Sequence, residues 1–253
     1  MGEENSLLLT HLSDLHCGPR FEGRTLQQAL DEINDLAPDV VIVTGDLTED
    51  GLIEEFEEAK RYLQLLKCKC LVVGSGNHDS RTTGYRLLPR FFGEPSSVTA
   101  VKDAVLIMLN SSRPDQDGGE VGYHQRLWMK SCLDKNSGRF KVVALHHHLI
   151  PVPDTGMEKN MVSDAGDVLW SLIQHGVDMV LCGHRHRPWI WNIGSLNVIY
   201  AGAVSTNRLR GFYQNSYNII RIENRKIKAS LKVVGGKEFD LNPTFIKTLK
   251  SLS

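Results

Sequence analysis

Apolar positions along the chain recur with two different periods, and the alternation between them predicts the layout. Short apolar runs at 7–12, 40–43, 70–73, 105–109, 142–145 and 179–182 read as strands. The uninterrupted run Val40, Val41, Ile42, Val43 is the pattern of a strand buried on both faces. Residues 25–36 instead carry Leu26, Ala29, Leu30, Ile33 and Leu36 at helical spacing, and Pro38 closes that helix. A second helix over 53–66 sets Phe56, Ala59, Leu63 and Leu66 on one face, opposite Glu54, Glu55, Glu57 and Glu58. Helices over 125–133 and 165–175 fit between the later strands. After His186 the pattern becomes strands with short turns at 189–193, 197–201, 217–222 and 226–234, with Gly194-Ser195 and Glu223-Asn224 as hairpin connections. The first two-thirds is therefore βαβ-like and the last third β-rich and antiparallel, an α/β chain with α+β character. Long loops at 111–122 and 151–164 have the length of segments that line a site. Strand patterns resume on both sides of each loop, so residues 1–253 are read as one domain.

Composition narrows the function classes. The 253 residues are 41% hydrophobic and 23% charged, as in an ordinary soluble globular protein. The net charge of −1, with no run of five like charges, argues against a sequence-independent nucleic-acid binder. Five cysteines, an odd number with no Cys-x-x-Cys pair, read as reduced thiols. Residues 1–6 are acidic and polar and do not resemble a signal peptide, and no apolar run is long enough to span a membrane. A cytoplasmic protein is expected. The exposed end of the second group of strands leaves room for a homodimer but requires none.

The candidate chemistry lies in five polar blocks, each after a strand-like run: Asp14-Leu15-His16, Gly45-Asp46, Gly76-Asn77-His78-Asp79, His146-His147-His148 and Gly183-His184-Arg185-His186. Strand ends are where layered α/β proteins build their sites. Two adjacent divalent cations need hard carboxylates, neutral imidazoles and a shared ligand. Asp14 and His16 are two apart, as are His184 and His186, so each pair projects the same way if its strand continues. Any one block is weak, because Gly-Asp and Gly-Asn-His-Asp are also ordinary turn sequences. Their order and placement together give the signal. The donors are nitrogen and oxygen only, which favours manganese, iron, zinc, nickel or cobalt over a thiolate zinc site. Cys17, next to His16, is read as packing, and His11 as a core histidine. Arg185 is as readily a spacer as a phosphate contact, and for Arg208 and Arg210, after Ala201-Gly202-Ala203-Val204, a solvated-loop reading is favoured over one in which they reach the substrate.

This set of blocks resembles the calcineurin-like metallophosphoesterases, whose pattern is D-x-H, G-D, G-N-H-D, H and G-H-x-H, and the resemblance runs from Leu7 to about Val234. It implies a four-layer αββα sandwich of two mixed β-sheets flanked by helices. By the same resemblance Asp14, His16 and His186 bind one metal ion, and Asn77, His184 and a histidine of the 146–148 cluster bind another. Asp46 would bridge them. His147 is chosen over His146 because family members often place the ligand two residues before a proline, although Leu149 stands at that proline's position and leaves His146 open. His78 is expected to act as general acid or to stabilise the transition state, with Asp79 orienting it. A bridging hydroxide would attack phosphorus in a small phosphoester substrate. The opening Thr10-His11-Leu12-Ser13-Asp14-Leu15-His16 and the histidine cluster followed by Ile150-Pro151 resemble the cyclic-nucleotide phosphodiesterase branch. A phosphomonoesterase or nucleotidase is the alternative, and a protein-binding scaffold of the same fold the non-enzymatic one.

Overall fold

The computed structural model describes residues 6–156, 159–212 and 214–242. The sequence readings of positions 1–5 and of loop positions 157–158 lie outside the described residues. Twelve strands and five α-helices are present among those described. β1 (Ser6–Leu12), β2 (Val40–Val43), β3 (Leu71–Val73), β10 (Ser216–Glu223), β11 (Lys226–Val233) and β12 (Glu238–Asp240) form one six-stranded sheet in the order β12-β11-β10-β1-β2-β3. β4 (Ser97–Val101), β5 (Ala104–Met108), β6 (Phe140–Ala144), β7 (Met179–Cys182), β8 (Trp189–Ile193) and β9 (Leu196–Tyr200) form the other, in the order β4-β5-β6-β7-β9-β8. Both sheets are mixed. β1, β2 and β3 run parallel, as do β5, β6, β7 and β9, while β10–β12, β4 and β8 are antiparallel to their neighbours.

Strand alternation divides the first sheet cleanly. Leu7, Leu9, Val40, Ile42, Val72, Ile220 and Ile222 face the second sheet and join its core. Leu12, Val41, Val43, Tyr217 and Ile219 face the other way. There they meet Leu26, Ala29, Leu30 and Ile33 of α1 (Gly23–Leu36), Phe56, Ala59 and Leu63 of α2 (Ile53–Leu63), and Leu88 of α3 (Gly84–Phe92). Met129 and Leu133 of α4 (Tyr123–Lys135), with Val168 and Leu172 of α5 (Ala165–Gln174), pack with the second sheet. Helix, sheet, sheet and helix are thus the four layers. All five cysteines are free. No helix among the described residues is long and apolar enough to cross a membrane.

Some elements depart from the sequence expectations for physical reasons. α3 contains Pro89, which reads as a helix breaker. β4 is an edge strand of mostly half-buried and exposed residues and so carries little apolar signal. α2 stops at Leu63 rather than at 66. The last hairpin turns at Asn224-Arg225, one residue later than expected, with Glu223 opposite Lys226 and both turn residues at positive φ.

Candidate metal centre

The five blocks leave the carboxyl ends of β1, β2, β3, β6 and β7 and meet at one edge of the sandwich. Their backbones are laced together: Asp14 N–H donates to Gly45 O at 3.0 Å, His16 N–H to Asp46 O at 2.9 Å, and Gly183 N–H to His146 O at 2.9 Å. β1 ends at Leu12, so the simple strand alternation expected for Asp14 and His16 does not apply. Asp14, His16, Asp46, His184 and His186 instead have φ of 59°, 54°, 52°, 72° and 54°. That left-handed region costs a residue with a Cβ about 1–2 kcal/mol, and Asp, Asn and His enter it most readily. Each turn aims its side chain inward at that cost. The loops also need two glycines. A Cβ on Gly45 would lie 2.3 Å from Gly76 N, and one on Gly76 would lie 2.0 Å from Asp46 Oδ1.

Three groups of donor atoms result; His16, Glu49 and His78 form one, and the other two share Asp46. In the first of these two, Asp14 Oδ1 and His16 Nε2 each lie 3.1 Å from His186 Nε2, and Asp46 Oδ2 is 3.6 Å from His16 Nε2. In the second, His146 Nε2 is 3.2 Å from Asp46 Oδ2 and 3.1 Å from Asn77 Oδ1. His184 Nδ1 is 3.0 Å from Asn77 Oδ1 and 3.3 Å from His146 Nε2. These residues are all buried.

The outer nitrogens of the imidazoles explain what the inner ones offer. His146 Nδ1 donates to Thr44 O at 2.8 Å, His16 Nδ1 lies 2.9 Å from Glu49 Oε2, and His186 Nδ1 donates to Arg208 O. A ring proton held outside leaves the Nε2 lone pair facing the cluster, the arrangement that orients metal-binding histidines. Asn77 Oδ1 is an acceptor as well. Lone pairs crowded into a buried space suit a cation, so the donor set fits divalent metal.

Without a cation, protons take its place. Burial opposes a charge on His16, but its contacts with Asp14 and Glu49 and the charge of Asp46 outweigh burial and hold it up to about 9. Burial is likewise overcome at His146, which Asp46 above all holds up to about 9. Burial also works against ionised Asp14 and Asp46, yet the neighbouring imidazoles drive both carboxyls well below the ordinary value.

Two sequence expectations are corrected by this geometry. His146, not His147, belongs to the cluster. His147 Nδ1 accepts from Ser111 Oγ at 2.8 Å and its Nε2 donates to Asp117 O at 3.2 Å, so both ring nitrogens are committed beneath the 111–122 loop. Burial and the neighbouring His146 push His147 down to about 3. Asp79 does not orient His78. Its Oδ1 accepts from the Thr48 N–H and hydroxyl, both at 2.9 Å, and its Oδ2 from Gly76 N–H at 2.8 Å, which fixes the loop carrying Asn77. His78 is oriented by Glu49, whose main-chain oxygen accepts its Nδ1–H at 2.6 Å. Burial lowers the His78 pKa, and its Nε2 accepts from Arg208 Nη1 at 3.1 Å.

The sequence reading missed one group and weighed two others the wrong way. A cavity of about 40 Å³ opens over the cluster, lined by Asp46, Asn77, His78, His184 and His186 together with Asp117, Asn160, Arg208 and Arg210. Arg208 and Arg210 are therefore site residues rather than solvated loop residues. No spacing rule links them to the five blocks; they arrive on the segment after β9. Glu49 was missed, because a glutamate three positions after Asp46 reads as an ordinary surface acid. Its carboxyl touches His16 and lies 3.6 Å from Arg208, and those contacts hold it down to about 2 despite burial. Arg185 bonds Thr155 through its Nε and Nη2, so it secures the 151–164 loop.

Comparison with known proteins gives the family. The family described as calcineurin-like phosphoesterase matches residues 7–188, well over half of the chain. The chain belongs to the calcineurin-like phosphoesterases, metal-dependent hydrolases acting on phosphoester bonds. A protein of Synechococcus sp. (strain WH7803) named a probable cyclic nucleotide phosphodiesterase is 30% identical over 198 residues, covering 72% of this chain and 75% of the relative. The glycerophosphodiester phosphodiesterase GpdQ of Enterobacter lignolyticus is 26% identical over 202 residues, covering 72% of this chain and 71% of its own. Among solved structures, a dimetal phosphatase from Danio rerio superposes with a TM-score of 0.67 at 12% identity, covering 93% of this chain and 98% of that one. That last likeness is one of fold.

Proposed function

We propose that this chain is a dinuclear phosphodiesterase acting on 3′,5′-cyclic nucleotides or closely related small phosphodiesters. The observation that carries the reading is Asp46, whose Oδ2 lies 3.6 Å from His16 Nε2 on one side and 3.2 Å from His146 Nε2 on the other. A carboxylate between two nitrogen-rich groups is the shared ligand that a pair of cations requires. Asp14, His16 and His186 would hold one ion, Asn77, His146 and His184 the other, and Asp46 both. Two divalent ions of the manganese, iron, zinc, nickel or cobalt type would polarise the phosphoryl oxygens and activate a water for in-line attack.

The protein's own groups do the remaining work. Arg208 and Arg210 border the cavity and offer N–H groups to the non-bridging phosphoryl oxygens. His78 keeps its Nδ1 proton on the Glu49 carbonyl and accepts from Arg208 at Nε2, so it acts here as a neutral imidazole that aims Arg208. Of the two roles expected for His78, transition-state stabilisation through Arg208 fits better than proton donation. The diester preference rests on the relatives' names: a probable cyclic nucleotide phosphodiesterase in Synechococcus, a glycerophosphodiester phosphodiesterase in Enterobacter, and a 3',5'-cyclic adenosine monophosphate phosphodiesterase in Haemophilus influenzae at 27% identity.

The test is a substrate panel on one preparation with its metal content measured. Cyclic AMP, bis-p-nitrophenyl phosphate, a glycerophosphodiester and p-nitrophenyl phosphate would each be assayed with and without added manganese. Turnover of diesters at two ions per chain is expected. Hydrolysis confined to monoesters would replace this reading with a phosphomonoesterase. Full activity in a metal-free Asp46→Ala variant would end the dinuclear mechanism.

A further inference from the structure

A row of polar side chains crosses the otherwise apolar space between the sheets, directly below the metal cluster. Strand alternation places it there. Leu7 and Leu9 of β1 face the second sheet, and His11 is next in that series. Val40 and Ile42 of β2 precede Thr44, the first residue past that strand, in the same way, and Asn218 shares its face of β10 with Ile220 and Ile222. His11 and Asn218 are direct partners across the β1–β10 pairing. His11, Thr44 and Asn218 are all completely buried.

The hydrogen bonds in this row have a fixed direction. Asn218 Nδ2 donates to Tyr200 O of the second sheet at 3.2 Å and to His11 Nδ1 at 3.3 Å. His11 Nδ1 is thus an acceptor, and the ring proton sits on Nε2. That proton points to Thr44 Oγ1 at 3.0 Å. Thr44 Oγ1 can in turn donate only weakly, to Leu12 O at 3.5 Å. The row is a costly way to fill a core, because Asn218 Oδ1 finds no hydrogen-bond partner at all. Its outlet toward the cluster is the main-chain oxygen of Thr44, which accepts His146 Nδ1–H at 2.8 Å. That contact keeps the Nε2 of His146 turned toward Asp46, Asn77 and His184.

We propose that Asn218, His11 and Thr44 form a positioning element for His146, transmitting the register between β10, β1 and β2 to one half of the metal centre. The first half is oriented separately, through Glu49 at His16 and Arg208 at His186. Disturbing the row therefore weakens binding at Asn77, His146 and His184 and spares Asp14, His16 and His186. Partners behind a ligand typically govern its affinity by 10–100-fold, so about tenfold is expected one bond further out.

The inference rests on the two-cation reading above, and the experiment separates the two. Metal-free wild type, Thr44→Val, His11→Leu and His11→Gln are titrated with Mn²⁺ by calorimetry, and thermal unfolding is followed on the same samples. Wild type should show two binding events. Thr44→Val and His11→Leu should weaken one event about tenfold and leave the other in place. In His11→Gln the side-chain amide can still donate to Thr44, and affinity should return to within about threefold of wild type at whatever melting temperature the variant has. If His11→Leu does not fold, Thr44→Val, which removes a single hydroxyl, carries the comparison with His11→Gln. Two events in wild type with unaltered affinities in the folded variants would overturn the inference alone, as would an equal loss at both events. Absence of any Mn²⁺ binding by wild type would instead overturn the two-cation reading.

Discussion

Adjacent histidines 146 and 147 offer a sharp experiment, because the proposed site uses the first and not the second. Replacing His146 by alanine removes a donor whose Nε2 lies within 3.3 Å of Asp46, Asn77 and His184. Loss of groups behind a ligand already costs 10–100-fold in affinity, so loss of the ligand itself should cost at least about 100-fold. His146→Ala should therefore be purified with close to one ion per chain and should have lost most diesterase activity. His147→Ala removes different things. It deletes the bonds to Ser111 Oγ and Asp117 O and leaves a buried space beneath Gly119, where the ring is packed. Two hydrogen bonds at about 1 kcal/mol each, with a small cavity, amount to about 3 kcal/mol. For a chain of this size that is roughly 6–12 °C in melting temperature. Metal analysis by mass spectrometry, turnover of bis-p-nitrophenyl phosphate and a thermal melt on both variants decide the matter. A His147→Ala protein that loses an ion while His146→Ala retains two would refute the assignment.

Other outcomes follow from the same geometry. Glu49→Gln removes the charge that faces His16 Nδ1 at 2.9 Å and should lower affinity for one ion by about 10–100-fold, read by the same Mn²⁺ titration; unchanged binding would show that the contact is idle. Gly76→Ala would put a Cβ 2.0 Å from Asp46 Oδ1 and should abolish metal retention, whereas a variant with two ions and wild-type turnover would contradict the packing described here. Arg208→Ala should lower kcat/KM for a diester by about 10–100-fold, the worth of a charge-assisted hydrogen bond, and identical kinetics would remove Arg208 from the site. For metal-free protein the pH dependence has a definite sign. His16 and His146 are raised from 6.5 to about 9, so their stabilisation is complete below 6.5 and disappears as pH rises through about 9. Asp14 and Asp46 are depressed below 3.8, so their contribution is present above 3.8 and is lost as the solution is acidified further. The metal-free melting temperature should accordingly peak near pH 6.5: it should fall toward pH 9 as these two imidazoles lose their protons, and fall on acidification because His11, His147 and His184, which burial keeps neutral in the fold, take up protons on unfolding; a rise from pH 6.5 to 9 would be incompatible with protonated imidazoles in the cluster.

How far the sequence could lead depended on whether a feature is local. The strands of the parallel core were legible because each is a continuous apolar run, as at Val40–Val43 and Met179–Cys182. The five blocks were legible because each follows such a run directly. The choice between His146 and His147 was not, because it turns on which imidazole faces the cluster after β6 ends at Ala144, and the family's spacing to a proline, which this chain lacks at Leu149, pointed to the wrong residue. Asp79 is next to His78 in sequence but spends its oxygens on Thr48 and Gly76, so adjacency misled. Glu49 was invisible, and Arg208 and Arg210 were undecidable, for the opposite reason. Arg208 meets His78 across 130 positions of chain, and no local pattern announces such a contact.

The left-handed turns at Asp14, His16, Asp46, His184 and His186 have a consequence for how this centre can change over evolutionary time. The side chains that such turns accept most readily, Asp, Asn and His, are the same ones that present oxygen or nitrogen to a hard or borderline cation. Single substitutions within that trio would alter the charge and softness of the ligand field while the loops keep their shape. Valine or isoleucine at these positions would bear the larger steric cost of a branched Cβ in that region. The backbone thus filters the mutations available to it, and metal preference is free to drift along a narrow set of paths that leave the scaffold intact.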